Sequence, residues 1–313
     1  MENHMRQWMK RTVLLLLVLC LTAGLPFAGA ESEETAPELI DKLPEKYLRA
    51  PKEGTGHAEM IRYPSRDYTG DGAEVTKRAV VYLPAGYSEE ETYDLLVLCH
   101  GIGGSENEWG FLNPYSIARN IVEHLIADGV IRPLIIVMPN GRSTANFNDT
   151  SFANMQSFYT FGQELRNDLL PWMDAHYATY GAKTPEDLTA SRNHRFMAGL
   201  SMGGMQTINI GLCECLDLFS AFGAFSAAPT SYPASRIAQE IEREGDYPVR
   251  MFYSICGTED GTAYGAAAQA AKELPKYTDR ITEDNWIWHE LPGGHDFNIW
   301  HLGLLNFLRI LAE

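Results

Sequence analysis

Residues 195–204 read RFMAGLSMGG. The apolar stretch 195–200 has the length of a buried strand, and residues 202–212 behind it have helical spacing. Between them stands Gly199-Leu200-Ser201-Met202-Gly203, followed by Gly204. A serine at such a junction is lifted above the sheet only if the chain turns sharply. Glycines two residues before and two after supply the room for that turn. A helix opening just beyond Ser201 also turns its positive end toward the hydroxyl. The pattern predicts Ser201 as a nucleophile.

The same alternation extends in both directions. Residues 57–63 and 78–83 read as strands with Gly70-Asp71-Gly72 as turn chemistry between them. Residues 95–99, 134–138, 219–225, 249–256 and 286–291 read as further strands. Residues 117–126, 161–177, 263–274 and 299–311 read as helices, with Pro171 expected to kink the second. Buried strands alternating with helices imply an α/β fold with a mostly parallel central sheet flanked by helices. Residues 145–157 are polar and aperiodic and read as a long loop, a kind of segment that often carries function.

A serine hydroxyl needs a base, and the base needs an orienting acid. When the chain order is serine, acid, histidine, only His289, His295 and His301 follow the nucleophile. His289 falls inside a strand and His301 inside the last helix. His295, in Gly293-Gly294-His295-Asp296, falls on the loop between them, where parallel sheets place reactive groups. The acid is expected after the strand 249–256, in Gly257-Thr258-Glu259-Asp260-Gly261. Asp260 is the choice and Glu259 the rival, one register step away; Asp296 is assigned to capping the last helix. For the oxyanion, one backbone donor is expected at Met202. A second is expected from His100-Gly101-Ile102-Gly103-Gly104, at Ile102 with Gly103 as rival. His100 precedes the serine and reads as structural.

The bulk numbers frame this chemistry. A chain of 313 residues, 45% hydrophobic and 11% aromatic, suffices for one large domain with its own core. Arg6, Lys10 and Arg11, the apolar run 12–21 and the small residues Ala28-Gly29-Ala30 read as a secretory signal peptide over 1–30. The apolar run is too short for a spanning helix. Residues 31–55, with Pro37, Pro44 and Pro51, read as a polar leader of weak structure, and 56–313 as the catalytic domain. The formal charge is −16, and loss of residues 1–30 leaves the chain more acidic still. Such a charge repels nucleic acid and anionic membranes. Cys99, Cys213, Cys215 and Cys256 show no metal-ligand spacing and predict neither a metal site nor an essential disulfide; no cofactor is expected.

Several signposts in order resemble the esterase D-like group, above all the feruloyl and acetylxylan esterases of carbohydrate esterase family 1. They are Val81-Tyr82-Leu83-Pro84, His100-Gly101-Ile102-Gly103-Gly104 with Glu108-Trp109, Gly199 to Gly204, Cys256 to Asp260, and Gly293-Gly294-His295-Asp296-Phe297. The resemblance runs from about residue 57 to the C-terminus. It implies the α/β-hydrolase fold and ester hydrolysis through an acyl-enzyme, with Ser201 attacking, His295 moving the proton and Asp260 orienting His295. It also implies secretion for work on feruloylated or acetylated xylan in the plant cell wall. Gly261 departs from the residues relatives often carry there. Trp109, Phe147, Phe152, Phe158 and Trp300 are candidates to line a flat slot for a hydroxycinnamoyl group, and each would equally serve as core. A smaller acetyl group, and transfer of the acyl group to a sugar instead of water, are the alternatives.

Overall fold

The computed structural model describes residues 38–312. The signal-peptide reading of 1–30 and the first part of the leader lie outside the described residues. Strands β1 (His57–Arg66) and β2 (Glu74–Leu83) pair antiparallel, from His57 opposite Leu83 to Arg66 opposite Glu74. Both run beyond their expected limits. Ser65 stays buried because its hydroxyl donates to Asp168 at 2.7 Å, so the in–out alternation continues past Tyr63. Gly72, at φ +78°, turns the chain between them.

From there strand and helix alternate: β3 (Asp94–Cys99), α1 (Ile117–Ala127), β4 (Leu134–Pro139), α2 (Phe161–Glu164), α3 (Leu170–His176), β5 (Arg195–Leu200), α4 (Met202–Gln206), β6 (Ala221–Phe225), α5 (Ala234–Arg243), β7 (Met251–Gly257), α6 (Tyr264–Glu273), β8 (Trp286–Leu291) and α7 (Phe297–Leu311). The eight strands form one sheet in the order β1-β2-β4-β3-β5-β6-β7-β8. β2 is antiparallel to β1 and β4, and the remaining neighbours are parallel. Every residue of β4, β5 and β6 is buried, as both faces of a covered parallel sheet require. Val97, Met197 and Phe222 pack on one face against Leu165, Leu169 and Leu212. Leu98, Ala198 and Phe225 pack on the other against Ile121, Leu304 and Phe307. The mostly parallel α/β sheet expected from the sequence, that of the α/β-hydrolase fold, is what forms.

The topology locates a crevice. After β3 the chain crosses to β4 on one side and then returns to β5 on the other side of β3. Loops leaving the carboxyl ends of β3 and β5 therefore diverge and leave a space between them, the usual ligand position in open α/β sheets. The loop after β3 begins at His100, and the turn after β5 is Ser201.

Two expectations change. The helix expected over 161–177 is broken at Leu165–Leu169 by a wider turn, one turn ahead of Pro171, in which the Leu170 N–H reaches back to the Leu165 carbonyl. Pro171 sits in the first turn of α3, where its missing N–H costs nothing. The leader is also not weakly structured once it is described. Tyr47 is buried, its carbonyl accepts the Asn120 side chain at 3.2 Å and its ring meets His124 edge-on at 5.6 Å. Ile40 exchanges two hydrogen bonds with the Asn306 side chain (2.8 and 2.9 Å), and Leu39, Ile40 and Leu43 pack on the core beside α7. Proline content had masked these apolar residues, which are too few to show a period. Among the described residues, no helix is long and apolar enough to cross a membrane.

Docking of this segment is testable. Tyr47→Ala should remove about 3 kcal/mol of stability, the order expected for truncating a buried aromatic ring, read as a lowered denaturant midpoint with turnover per folded molecule unchanged. A midpoint within error of the parent would show that the segment contributes nothing to the fold.

Candidate active site

Ser201 leaves β5 with φ 52° and ψ −114°, a conformation costing a non-glycine residue roughly 1–3 kcal/mol. Three hydrogen bonds hold it there. Its N–H donates to the Phe225 carbonyl (2.9 Å), and its carbonyl accepts from the N–H groups of Met205 (3.0 Å) and Ala228 (2.9 Å). The flanking glycines are required by close approach. A Cβ on Gly199 would lie 2.6 Å from the carbonyl carbon of Gly203, and one on Gly203 would lie 2.6 Å from the Cys99 carbonyl oxygen.

His295, on the loop between β8 and α7, donates from Nδ1 to Asp260 Oδ2 at 2.7 Å. Its Nε2 faces Ser201 Oγ at 3.0 Å and accepts from that hydroxyl. Asp260 follows β7. Its Oδ1 accepts from the N–H groups of Thr262 and Ala263, both at 2.9 Å, and the Cys256 thiol approaches Oδ2 at 3.6 Å. Burial pushes the Asp260 carboxyl up. The hydrogen bonds from His295 and from the Ala263 and Thr262 N–H groups outweigh it and hold the carboxyl below the usual carboxylate range. Burial raises the Cys256 thiol to about 12, so it stays a neutral donor. The structure brings Asp260 to His295 and leaves its rival Glu259 exposed. Asp296 caps α7 by accepting the Asn298 N–H at 2.8 Å.

The loop after β3 is tied at nearly every polar backbone group. Gly101 N–H donates to Glu108 Oε2 at 2.6 Å. Gly101 C=O accepts from His100 Nδ1 (2.6 Å) and Gly104 N–H (3.2 Å). Arg142 donates from Nη1 to the Gly104 carbonyl (2.9 Å) and from Nη2 to the Ile102 carbonyl. His100 accepts the Gly141 N–H on Nε2 at 3.2 Å, and its complete burial pushes the ring down to about 3, so it is a neutral imidazole. Burial raises the Glu108 carboxyl, against the pull of the Gly101 N–H and of Arg142. Ile102 packs with Met202, Phe158, Met155 and Ala228 in a small apolar cluster. Both expected oxyanion donors, at Ile102 and Met202, thus belong to residues in one patch.

The aromatic candidates scatter. Trp109 is core: its indole N–H donates to the Cys99 carbonyl at 3.0 Å, and its ring meets Phe225 and Phe297 edge-on. It is not the slot wall expected of it. Phe147 is buried beneath Lys77 and Arg78, whose cations lie 5.2 and 5.3 Å from its ring centre, and is packing too. Trp300 is buried but touches the site, its ring edge-on to His295 at 5.2 Å. Phe152 is 76% exposed. It opens a short 3-10 helix, Phe152–Phe158, where a featureless loop was expected. With three residues per turn, Phe152, Met155 and Phe158 share one side. Sequence reasoning missed Met155 and Arg142. The first follows a period of three that neither the strand nor the α-helix template detects. The second is a lone cation in a polar stretch, with no local signal. Among the described residues, no group of three or more His, Cys, Asp and Glu side chains is placed to hold a metal ion.

The sequence profile of the Esterase family matches residues 74–309, three quarters of the chain, from the start of β2 into α7. The chain belongs to the Esterase family. It is 33% identical over 237 residues to endo-1,4-beta-xylanase Y of Acetivibrio thermocellus, covering 72% of this chain and 21% of that protein. It is 37% identical over 155 residues to the endo-1,4-beta-xylanase/feruloyl esterase of Xylanibacter ruminicola, covering 47% of this chain and 19% of that one. The chain thus spans about a fifth of the length of these curated relatives. Among solved structures it resembles a mutant feruloyl esterase module from Clostridium thermocellum complexed with sinapinate. The TM-score is 0.70 at 26% identity, over 88% of this chain and 94% of that one.

The esterase carries two imidazoles that burial keeps neutral: His100, pushed down to about 3, and His301, pushed down to about 4. An unfolded chain protonates both as pH falls through the ordinary histidine value of about 6.5, whereas the folded chain resists until much lower. The unfolded state binds more protons in that window, so stability is full above it and declines as pH falls. Denaturant midpoints between about pH 7 and about pH 4.5 should fall steadily, and less steeply in His301→Gln. An unchanged slope in that variant would show that His301 titrates alike in both states.

Proposed function

We propose that this esterase is exported and releases hydroxycinnamoyl groups, feruloyl above all, from plant cell-wall polysaccharide through an acyl-enzyme on Ser201. One observation carries the mechanism: Ser201, His295 and Asp260 form an unbroken hydrogen-bonded chain of 3.0 and 2.7 Å. Asp260, held ionised, fixes the tautomer that leaves Nε2 free to take the Ser201 proton, and it stabilises the imidazolium that results. Ser201 Oγ then attacks the ester carbonyl, and the N–H groups of Ile102 and Met202 receive the oxyanion. Imidazolium protonates the ester oxygen of the sugar as its bond to the acyl carbon breaks, so the sugar leaves as an alcohol. A water molecule, deprotonated by the same imidazole, then attacks the acyl-enzyme, and the imidazolium returns its proton to Ser201 Oγ as the acid departs. The reaction calls for no cofactor.

The acyl group and the polymer rest on likeness. The curated relatives are named for xylanase and feruloyl esterase activities. Export rests on the basic-then-apolar pattern of residues 1–30. A second reading, acetyl release from xylan, is favoured by the burial of Trp109 and Phe147, which removes two rings from the expected slot.

Two measurements test these statements. Asp260→Asn should lose on the order of 10⁴ in turnover, because an amide can hold His295 in the wrong tautomer; Glu259→Gln should stay near the parent. The reverse ranking moves the acid by one residue. For the acyl group, the ratio of kcat/KM for feruloyl over acetyl esters on the same sugar should exceed one, since burying an aromatic acyl group adds a few kcal/mol at most. A ratio below one selects the acetyl reading. Product appearing on an added sugar in place of free acid would instead mark an acyltransferase.

A further inference from the structure

Arg142 lies on the loop after β4, and its whole residue is buried at 0% exposure. Among the described residues it makes no ion pair within 4.0 Å. Its Nε has no hydrogen-bond partner. Nothing in the packing of a fold calls for this. Buried cations are ordinarily paired, and an unpaired one is costly. The guanidinium spends its two remaining nitrogens on a single neighbour: Nη1 on the Gly104 carbonyl and Nη2 on the Ile102 carbonyl. Its plane lies against Phe158, 4.9 Å from the ring centre, and Phe158 packs in turn on Met202. Its own backbone is anchored, with its carbonyl accepting from Lys77 Nζ and its N–H donating to Asn140 Oδ1.

We propose that Arg142 is a positioning residue for the oxyanion loop, fixing the Ile102–Gly103 peptide, whose N–H is the rival donor, beside the Ile102 N–H that His100 aims, and placing a buried positive charge behind them. In a trans peptide the carbonyl and the N–H point opposite ways, and the described chain contains no cis bond. Drawing the Ile102 carbonyl toward Arg142 therefore turns the Gly103 N–H away from it. The His100 contact with the Gly101 carbonyl does the same for the Ile102 N–H. Glycines at 101, 103 and 104 leave the loop without side chains to hold its shape. The two-pronged guanidinium supplies that shape, and a lysine, with one point of contact, cannot. Because Arg142 is dry, its charge is poorly screened toward the place where negative charge develops. This inference rests on Ser201 being the nucleophile.

The test uses the full chain with nitrophenyl acetate, a small ester that needs no polymer subsite, and phenylboronic acid, which forms a tetrahedral adduct with an active serine. Arg142→Lys keeps the charge and the stem but loses the fork. Its kcat should fall by at least tenfold with KM within threefold, the signature of an interaction made only in the transition state. Arg142→Met should fall by roughly 10² to 10³, the loss typical of one oxyanion donor. Affinity for phenylboronic acid should drop by the same factor as kcat/KM in each variant. If the methionine variant does not fold, the lysine variant decides alone. A folded lysine variant with kcat within twofold of the parent, or one altered only in KM, overturns the proposal. Ser201→Ala is assayed alongside. If it is inert while the Arg142 variants keep parental kcat, only the role of Arg142 fails; if it stays active, both readings fail.

Discussion

Everything at the catalytic edge depends on how closely the backbone behind Ser201 can approach the end of β3. The chain turns at φ 52° and at once presses Gly203 against the Cys99 carbonyl, with a gap no Cβ fits. That contact sets the height of Ser201 over the sheet, and it sets where His100 begins the next loop. Side-chain-free residues at 199, 203 and 204 are the condition for it. β5 sits in the middle of the sheet with all six of its residues buried, so neighbouring strands on both sides can hold the strained turn. An edge strand would relax it.

A second layer of order comes from buried charge. Lys77 on β2 pairs with Glu164 at 3.0 Å, with both side chains out of solvent, and also reaches the carbonyls of Asn140 and Arg142. Tyr63 on β1 donates to the other oxygen of Glu164 at 2.5 Å. The antiparallel hairpin, remote from the reacting groups in sequence, is thereby fastened to the loop that carries Arg142. Breaking such a pair on one side typically costs about 3–5 kcal/mol. The pair is weak ground for stability and better ground for fixing one arrangement of the β4 loop over others. The wide turn at Leu165–Leu169 belongs to the same arrangement, since it separates Glu164, facing Lys77, from Asp168, facing Ser65 and Tyr68.

Strands β5 and β8 were legible to the residue, because 196–200 is apolar right up to the Ser201 turn and 286–288 opens β8 with residues that favour strands, bounded by Asn285 and Pro292. Ser201, Asp260 and His295 were legible as a set because each follows a strand in a fixed chain order, and the geometry places them within hydrogen-bonding distance of one another. What stayed hidden shares one cause: the deciding partner is distant in sequence. Trp109 looks like a rim residue until its indole is seen on the Cys99 carbonyl, and Tyr47 looks like leader until Asn120 is seen on its own carbonyl. Arg142 has no periodic setting at all, and its meaning comes only from the two carbonyls it meets.

The segment before β1 has one more consequence. Glu38 offers its carbonyl to Arg309 at 2.7 Å, and the Leu311 carbonyl accepts from Arg250, just ahead of β7, at 2.9 Å. The fifteen residues of α7 carry the chain about 22 Å away from His295 before it stops. The two ends of the described chain therefore emerge side by side on the underside of the sheet, at the strand ends opposite Ser201. A tether attached at either point, whether a flexible linker to a second module or a surface used for immobilisation, pulls from beneath. The face that carries Ser201 stays turned outward.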